Sequence, residues 1–301
     1  MSAIRVGAVG YLNARPLVYR LDRSPRFDVR YDAPARCAAL LHEAAVDLGL
    51  IPSIEYQRGG PYLVVPDLAI ASRGPVASVA LYTKKPMRDV RSIALDTSSR
   101  TSVALLQLLC ARRYRIAPEL HAHGPDPGAM LARHDAALII GDCALFLDHT
   151  DIRQTADVGV AGGRGGLPPD ARGGGSLRRR PGGRRLETAM HVEKIDLGEA
   201  WTALTGLPFV YAFWAGRAGA LTAADVSSLQ AARDEGVRQT DALARDAFPH
   251  DRDRQPIGAR YLRDNIKYRL GPDEQAALEV FYRYAAEAGL VEAAAPMRFY
   301  R

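Results

Sequence analysis

Short apolar runs alternate with amphipathic stretches along most of the chain. Ile4–Val9 and Phe27–Tyr31 read as strands, Pro34–Ala45 as a helix with Cys37, Leu40 and Leu41 inward, and 46–51 as a third strand. Pro52 and Ser53 then open a short helix through Tyr56. This βαβα order predicts a mostly parallel sheet with helices on its faces. After an apolar run at Val76–Tyr82, closed by Lys84-Lys85-Pro86, a second set follows. It comprises a strand at 92–96, a helix at 101–114, strands near 118–122 and 135–140, and a helix from Asp142. Leu207–Ala215 is the most apolar and aromatic run, as a strand buried on both faces requires. The last third is helical. Thr222 and Asp225 form a capping-box pattern, 257–270 is amphipathic with Gly271 as its expected C-cap, and Pro272 opens a final helix with Leu278, Phe281, Tyr282 and Ala285 inward. No strand signal remains there, so these helices must cover the N-terminal sheet. The expected organisation is therefore two α/β lobes: residues 1–83 plus 210–301, and 84–209.

The 301 residues, 48% hydrophobic and 25% charged, suit a two-domain globular chain. No apolar run has the length of a membrane helix, and Arg5, Gly7 and Gly10 interrupt any secretory h-region, so a cytoplasmic location is expected. Cys37, Cys110 and Cys143 are odd in number and lie in apolar stretches, which predicts buried free thiols. The net charge of +6 is concentrated: residues 155–190 hold seven Arg against three acidic residues. With ten Gly and few large apolar side chains, that stretch is expected to be a disordered surface insertion. It lacks the interleaved aromatics of a single-strand binder, so no nucleic-acid partner is expected. A monomer or homodimer without a membrane partner is expected.

Candidate chemistry sits at strand ends, where open α/β sheets bind ligands. Asn13, just past the first strand, carries a donor and an acceptor on one short arm. Thr97 to Ser102 places five hydroxyls and one guanidinium at a predicted helix N-terminus, which favours an anion. Ser98, Ser99, Arg100, Thr101 and Ser102 are therefore candidate binding residues, joined by Ser53 and Asp142 at two further strand tips. Asp142 fits a helix cap equally well. Gly7 and Gly10 lack the full dinucleotide-binding spacing and no phosphate-binding loop motif occurs, so no nucleotide cofactor is expected. His121 and His123 read as an exposed polar face, and no metal is expected.

Two lobes, two crossings and a polar cleft match the type II periplasmic-binding-protein-like architecture. Val6 to Leu17 resembles the opening of the chorismate dehydratases of the futalosine route to menaquinone. So do Leu50 to Tyr56, Gly74-Pro75-Val76-Ala77-Ser78, Thr97 to Val103, Ile140-Gly141-Asp142 and Thr205 to Val210, in family order. At 155–190 the family connects more briefly. The resemblance implies a lyase that removes water from chorismate, a dicarboxylate, to give 3-[(1-carboxyvinyl)oxy]benzoate without a cofactor. It implies that the substrate's own enolpyruvyl carboxylate takes the proton, with Asn13 and Ser78 as the assisting groups. Two other functions fit the pattern: the paralogous dihydroxynaphthoate synthase and a non-catalytic small-anion-binding protein.

Overall fold

A computed structural model describes residues 3–147, Ile152 and 192–301. The Gly/Arg-rich stretch at 155–190, expected as a disordered insertion, lies outside the described residues.

β1 (Ile4–Val9) buries every residue but Arg5, and pairs in parallel with β2 (Phe27–Asp32) and β3 (Leu48–Pro52). The crossover helix α1 (Pro34–His42) begins with proline, where a missing N–H costs nothing. Two short strands that the pattern did not reveal, β4 (Leu63–Val64) and β5 (Ile70–Ser72), complete this side of the chain. At two and three residues they are too short to show a period of two.

The second sheet has the order β10-β6-β9-β7-β8. It is built from β6 (Val79–Thr83), β7 (Ser92–Asp96), β8 (Glu119–His123), β9 (Ala136–Ile140) and β10 (Glu193–Asp196). β6 corrects the expected boundary at residue 83. It runs antiparallel to β9 and to β10, so the chain has already crossed before Val79. The helix α2 (Arg100–Leu109) continues into a single π-type turn at Cys110–Tyr114. A helix the sequence reading passed over, α3 (Pro127–Arg133), is capped by Asp126, whose carboxylate accepts the Ala129 N–H at 3.0 Å. The six-residue α4 (Gly141–Phe146) follows β9, and α5 (Leu197–Thr205) follows β10.

The chain then returns through β11 (Phe209–Gly216), all eight residues buried, antiparallel to β3 in a first sheet of order β2-β1-β3-β11-β4, with β5 also on β11. The C-terminal helices gather on this lobe. α6 (Ala223–Gly236) opens with the anticipated Thr222/Asp225 capping box. α7 (Thr240–Ala247) and α8 (Arg254–Arg260) lead to a π-type turn at Tyr261–Asn265. The chain then extends, and Lys267 exchanges two backbone hydrogen bonds with Ala71. The amphipathic run at 257–270 is thus not one helix. Gly271 is the N-cap of α9 (Pro272–Glu287) rather than a C-cap, with Glu274 accepting its N–H at 3.0 Å. Leu278, Phe281, Tyr282 and Ala285 are buried as expected, and Trp201 and Trp214 are core residues. Cys37 and Cys110 are buried, but Cys143, in the first turn of α4, is exposed. Among the described residues no helix is long and apolar enough to cross a membrane.

Candidate functional site

The tips of β1, β3, β7 and β9 converge between the two sheets on a cleft. Val9, Pro34, Pro52, Ile70, Val76, Val79, Ile140 and Ala212 form its apolar walls. Its polar lining comes from Tyr11, Asn13, Ser78, Ser99, Ser102 and Tyr211. Four candidates from the sequence (Asn13, Ser78, Ser99 and Ser102) are thereby brought together.

Asn13 lies on a helical turn, Leu12–Val18, whose apolar residues Leu12, Ala14 and Leu17 anchor it in the core. Its Oδ1 is buried with no hydrogen-bond partner. Such an acceptor costs free energy unless a ligand supplies a donor. Ser78 arrives from the other side, on the crossing between lobes. Ala77 immediately before it takes φ +65°, a left-handed conformation costing on the order of 1 kcal/mol for a residue with a Cβ. The Asp196 carboxylate holds this turn by accepting the N–H groups of Val76 (3.0 Å) and Ala77 (2.7 Å), while also capping α5. Asp196 was not recognised from sequence, since nothing in its neighbourhood links it to residues 120 positions earlier.

Ser78 Oγ lies 2.7 Å from the hydroxyl of Tyr261. Burial pushes that phenol far above its ordinary range, and hydrogen bonding with Ser78 offsets part of the rise. Tyr261 was also missed. In the sequence it is one aromatic in an amphipathic run, indistinguishable from a core residue.

Ser99 is the N-cap of α2: its Oγ accepts the Ser102 N–H at 3.4 Å and lies 3.0 Å from Ser102 Oγ. Both hydroxyls therefore mark a helix N-terminus facing the cavity. Burial raises the phenols of Tyr11 and Tyr211, so both stay protonated near neutrality. Among the described residues lining the cavity, these two phenols are the sole titratable side chains. No carboxylate or imidazole there can serve as a general base.

The remaining candidates make hydrogen bonds within the protein. Ser53 is buried and donates to the Val210 carbonyl at 2.8 Å. Thr101 is buried and accepts the Ile54 N–H at 3.2 Å. Ser98 donates to Asp96 at 2.6 Å and accepts from Tyr11 at 3.2 Å, holding that ring over the cavity. Arg100 turns away to Glu55 at 2.6 Å. Burial alone would raise the Glu55 carboxyl, but His42, Arg100 and Arg58 outweigh it and hold it below the ordinary carboxylate range. Asp142 does not cap its own helix; it accepts the Leu12 N–H from the opposite lobe at 3.1 Å. Burial raises its carboxyl, and the Leu12 hydrogen bond offsets part of the rise.

Three comparisons bear on this geometry. The menaquinone biosynthesis family matches residues 4–161 and 182–287, its break falling inside the Gly/Arg-rich stretch. The chorismate dehydratase of Thermus thermophilus is 31% identical over 287 residues, covering 92% of this chain and 93% of the relative. The crystal structure of a protein from Archaeoglobus fulgidus superposes with TM-score 0.66 at 16% identity, covering 96% of this chain and 99% of that one. The periplasmic aliphatic sulphonate binding protein of Escherichia coli gives TM-score 0.59 at 16% identity, over 98% and 95%. At these identities the two structures establish the fold alone, which is the α/β periplasmic-binding-protein-like one.

Proposed function

The chain belongs to the menaquinone biosynthesis family, and on that premise we propose that it dehydrates chorismate to 3-[(1-carboxyvinyl)oxy]benzoate. It is then a carbon–oxygen lyase. The observation that carries the reading is the chemistry of the cavity wall. Amide, hydroxyls and neutral phenols line it, and no side chain there is suited to remove a proton near neutrality. An elimination that needs no protein base fits such a site. The substrate's enolpyruvyl carboxylate takes the ring proton, the C–O bond to the ring hydroxyl breaks, and the two leave as water while the ring becomes aromatic. The protein's part is to hold the reacting conformer and exclude bulk water.

Asn13, from the first lobe, and Ser78, on the crossing, flank the reacting region. Ser99 and Ser102, with the first N–H groups of α2, supply a neutral anion-binding edge for a carboxylate. The test is incubation of the purified protein with chorismate, following loss of substrate and appearance of product by chromatography with mass detection, with and without a chelator. Chelator-insensitive product is expected. Chorismate recovered unchanged, with no thermal stabilisation of the protein, refutes the reading.

A further inference from the structure

We propose that Tyr261 is a positioning residue of this site, fixing Ser78 as a hydrogen-bond donor beside the unpartnered acceptor of Asn13, so that the pair receives the substrate's leaving hydroxyl rather than a carboxylate. The inference rests on the dehydratase reading and refines it.

The argument is a count of protons. Tyr261 is buried, and its hydroxyl has Ser78 Oγ as its hydrogen-bond partner, 2.7 Å away. A buried phenol proton left without an acceptor costs free energy, so Tyr261 donates to Ser78 Oγ rather than accepting from it. Asn13 Oδ1 is buried without a partner. Ser78 Oγ, already an acceptor, presents its proton to the cavity it lines. The pair thus offers one acceptor and one donor. A hydroxyl matches both, donating to Asn13 Oδ1 and accepting from Ser78. A carboxylate is acceptor-only and would set negative oxygen against Oδ1. As the ring C–O bond breaks, charge grows on that hydroxyl oxygen, and the donor chain Tyr261→Ser78 strengthens there. The carboxylates are left to Ser99, Ser102 and the start of α2.

Tyr261 reaches the site from the first lobe's helical tail, so it also ties Ser78, on the crossing, to a fixed frame. Burial keeps the phenol protonated well into the alkaline range, as a permanent donor must be.

The experiment is steady-state turnover of chorismate by the wild type and Tyr261→Phe, with binding of the aromatic product measured separately. The variant is expected to lose about tenfold or more in kcat, since a neutral hydrogen bond is worth about 1 kcal/mol and one to developing charge more. KM is expected to stay within about threefold, and product binding to be unchanged, because the product lacks that hydroxyl. An active wild type with Tyr261→Phe equally fast overturns the inference and leaves the dehydratase reading intact. So does equal weakening of substrate and product binding, which marks a structural role. A wild type that leaves chorismate untouched removes both. If Tyr261→Phe does not fold, Ser78→Ala removes the hydroxyl that Tyr261 positions. It must show the same split, a lower kcat with product binding unchanged, and an unchanged kcat overturns the inference.

Discussion

Gly236 is the last residue of α6, and the helix lies directly on the backbone of the turn that carries Asn13. A Cβ built there falls 2.3 Å from the Pro16 carbonyl oxygen, 2.7 Å from its Cα and 2.9 Å from its carbonyl carbon. Helix propensity alone says that Gly236→Ala stabilises by up to about 1 kcal/mol. Packing says the reverse. The obstructing atoms are main chain and cannot rotate aside, so helix or turn must retreat by about 1 Å to reach van der Waals separation. Overpacking of this kind costs about 1–3 kcal/mol, and backbone obstruction puts it at the upper end. The net is a loss of about 1–2 kcal/mol, which lowers Tm by about 2–3 °C in a chain of this size. Because the retreat moves the turn Leu12–Val18, Asn13 shifts with it, and a misplacement of about 1 Å costs on the order of 100-fold in rate. Thermal unfolding followed by circular dichroism, with chorismate turnover on the same preparations, reads both effects. Gly124→Ala is the control: nothing lies within 4 Å of its Cβ. It is expected to match the wild type within about 0.5 kcal/mol. A Gly236→Ala protein that melts at or above the wild-type temperature and turns over normally refutes the reasoning.

Two further outcomes follow from the groups that join the lobes. Asp142→Ala removes the acceptor for the Leu12 N–H and is expected to lower turnover, whereas Asp142→Asn keeps an oxygen there. Burial holds that carboxyl above its ordinary range, so its ionised form opposes folding at neutral pH, and Asp142→Asn should melt no lower than the wild type at pH 7; a drop matching Asp142→Ala contradicts this. Glu55 has the opposite sign. Its folded carboxyl is held low, so its contribution is complete above the unfolded value of about 4.3 and is lost as pH falls through the folded value. The Tm gap between wild type and Glu55→Gln should therefore close below about pH 4, and a gap constant from pH 7 to pH 3 counts against the assignment.

What the chain disclosed follows from the range of each signal. Ile4–Val9, 92–96 and 136–140 are buried strands ended by a polar or glycine residue, so both the elements and their tips were legible, and with them Asn13, Ser99 and Ser102. Ser78 was legible only through its motif, because a lone serine in an apolar run carries no chemical mark. The single wrong-side element, β6, shows the limit of order along the chain: Val79–Thr83 reads as a strand in either lobe, and its pairing with β9 is decided by contacts about 60 residues away. Tyr261 and Asp196 were illegible for the same reason. Each acts on a residue more than 100 positions distant, through a hydrogen bond that leaves no local periodicity.

The hydroxyl-rich loop was expected to hold the ligand with all its polar groups, and the structure divides that work. Ser99 and Ser102 face the cavity, while Ser98, Arg100 and Thr101 reach Tyr11, Glu55 and Ile54 in the first lobe. The Ser98 carbonyl accepts the Ala35 N–H at 3.1 Å as well. One loop therefore both lines the site and joins the lobes, and Asp142 repeats the pattern from the next strand tip through Leu12, the neighbour of Asn13. Any movement that separates the lobes breaks these bonds and takes Ser99 and Ser102 away from Asn13 and Ser78 in the same step. Joining of the anion-binding edge to the donor–acceptor pair and exclusion of water are thus one event, which is the condition an elimination without a protein base places on its site.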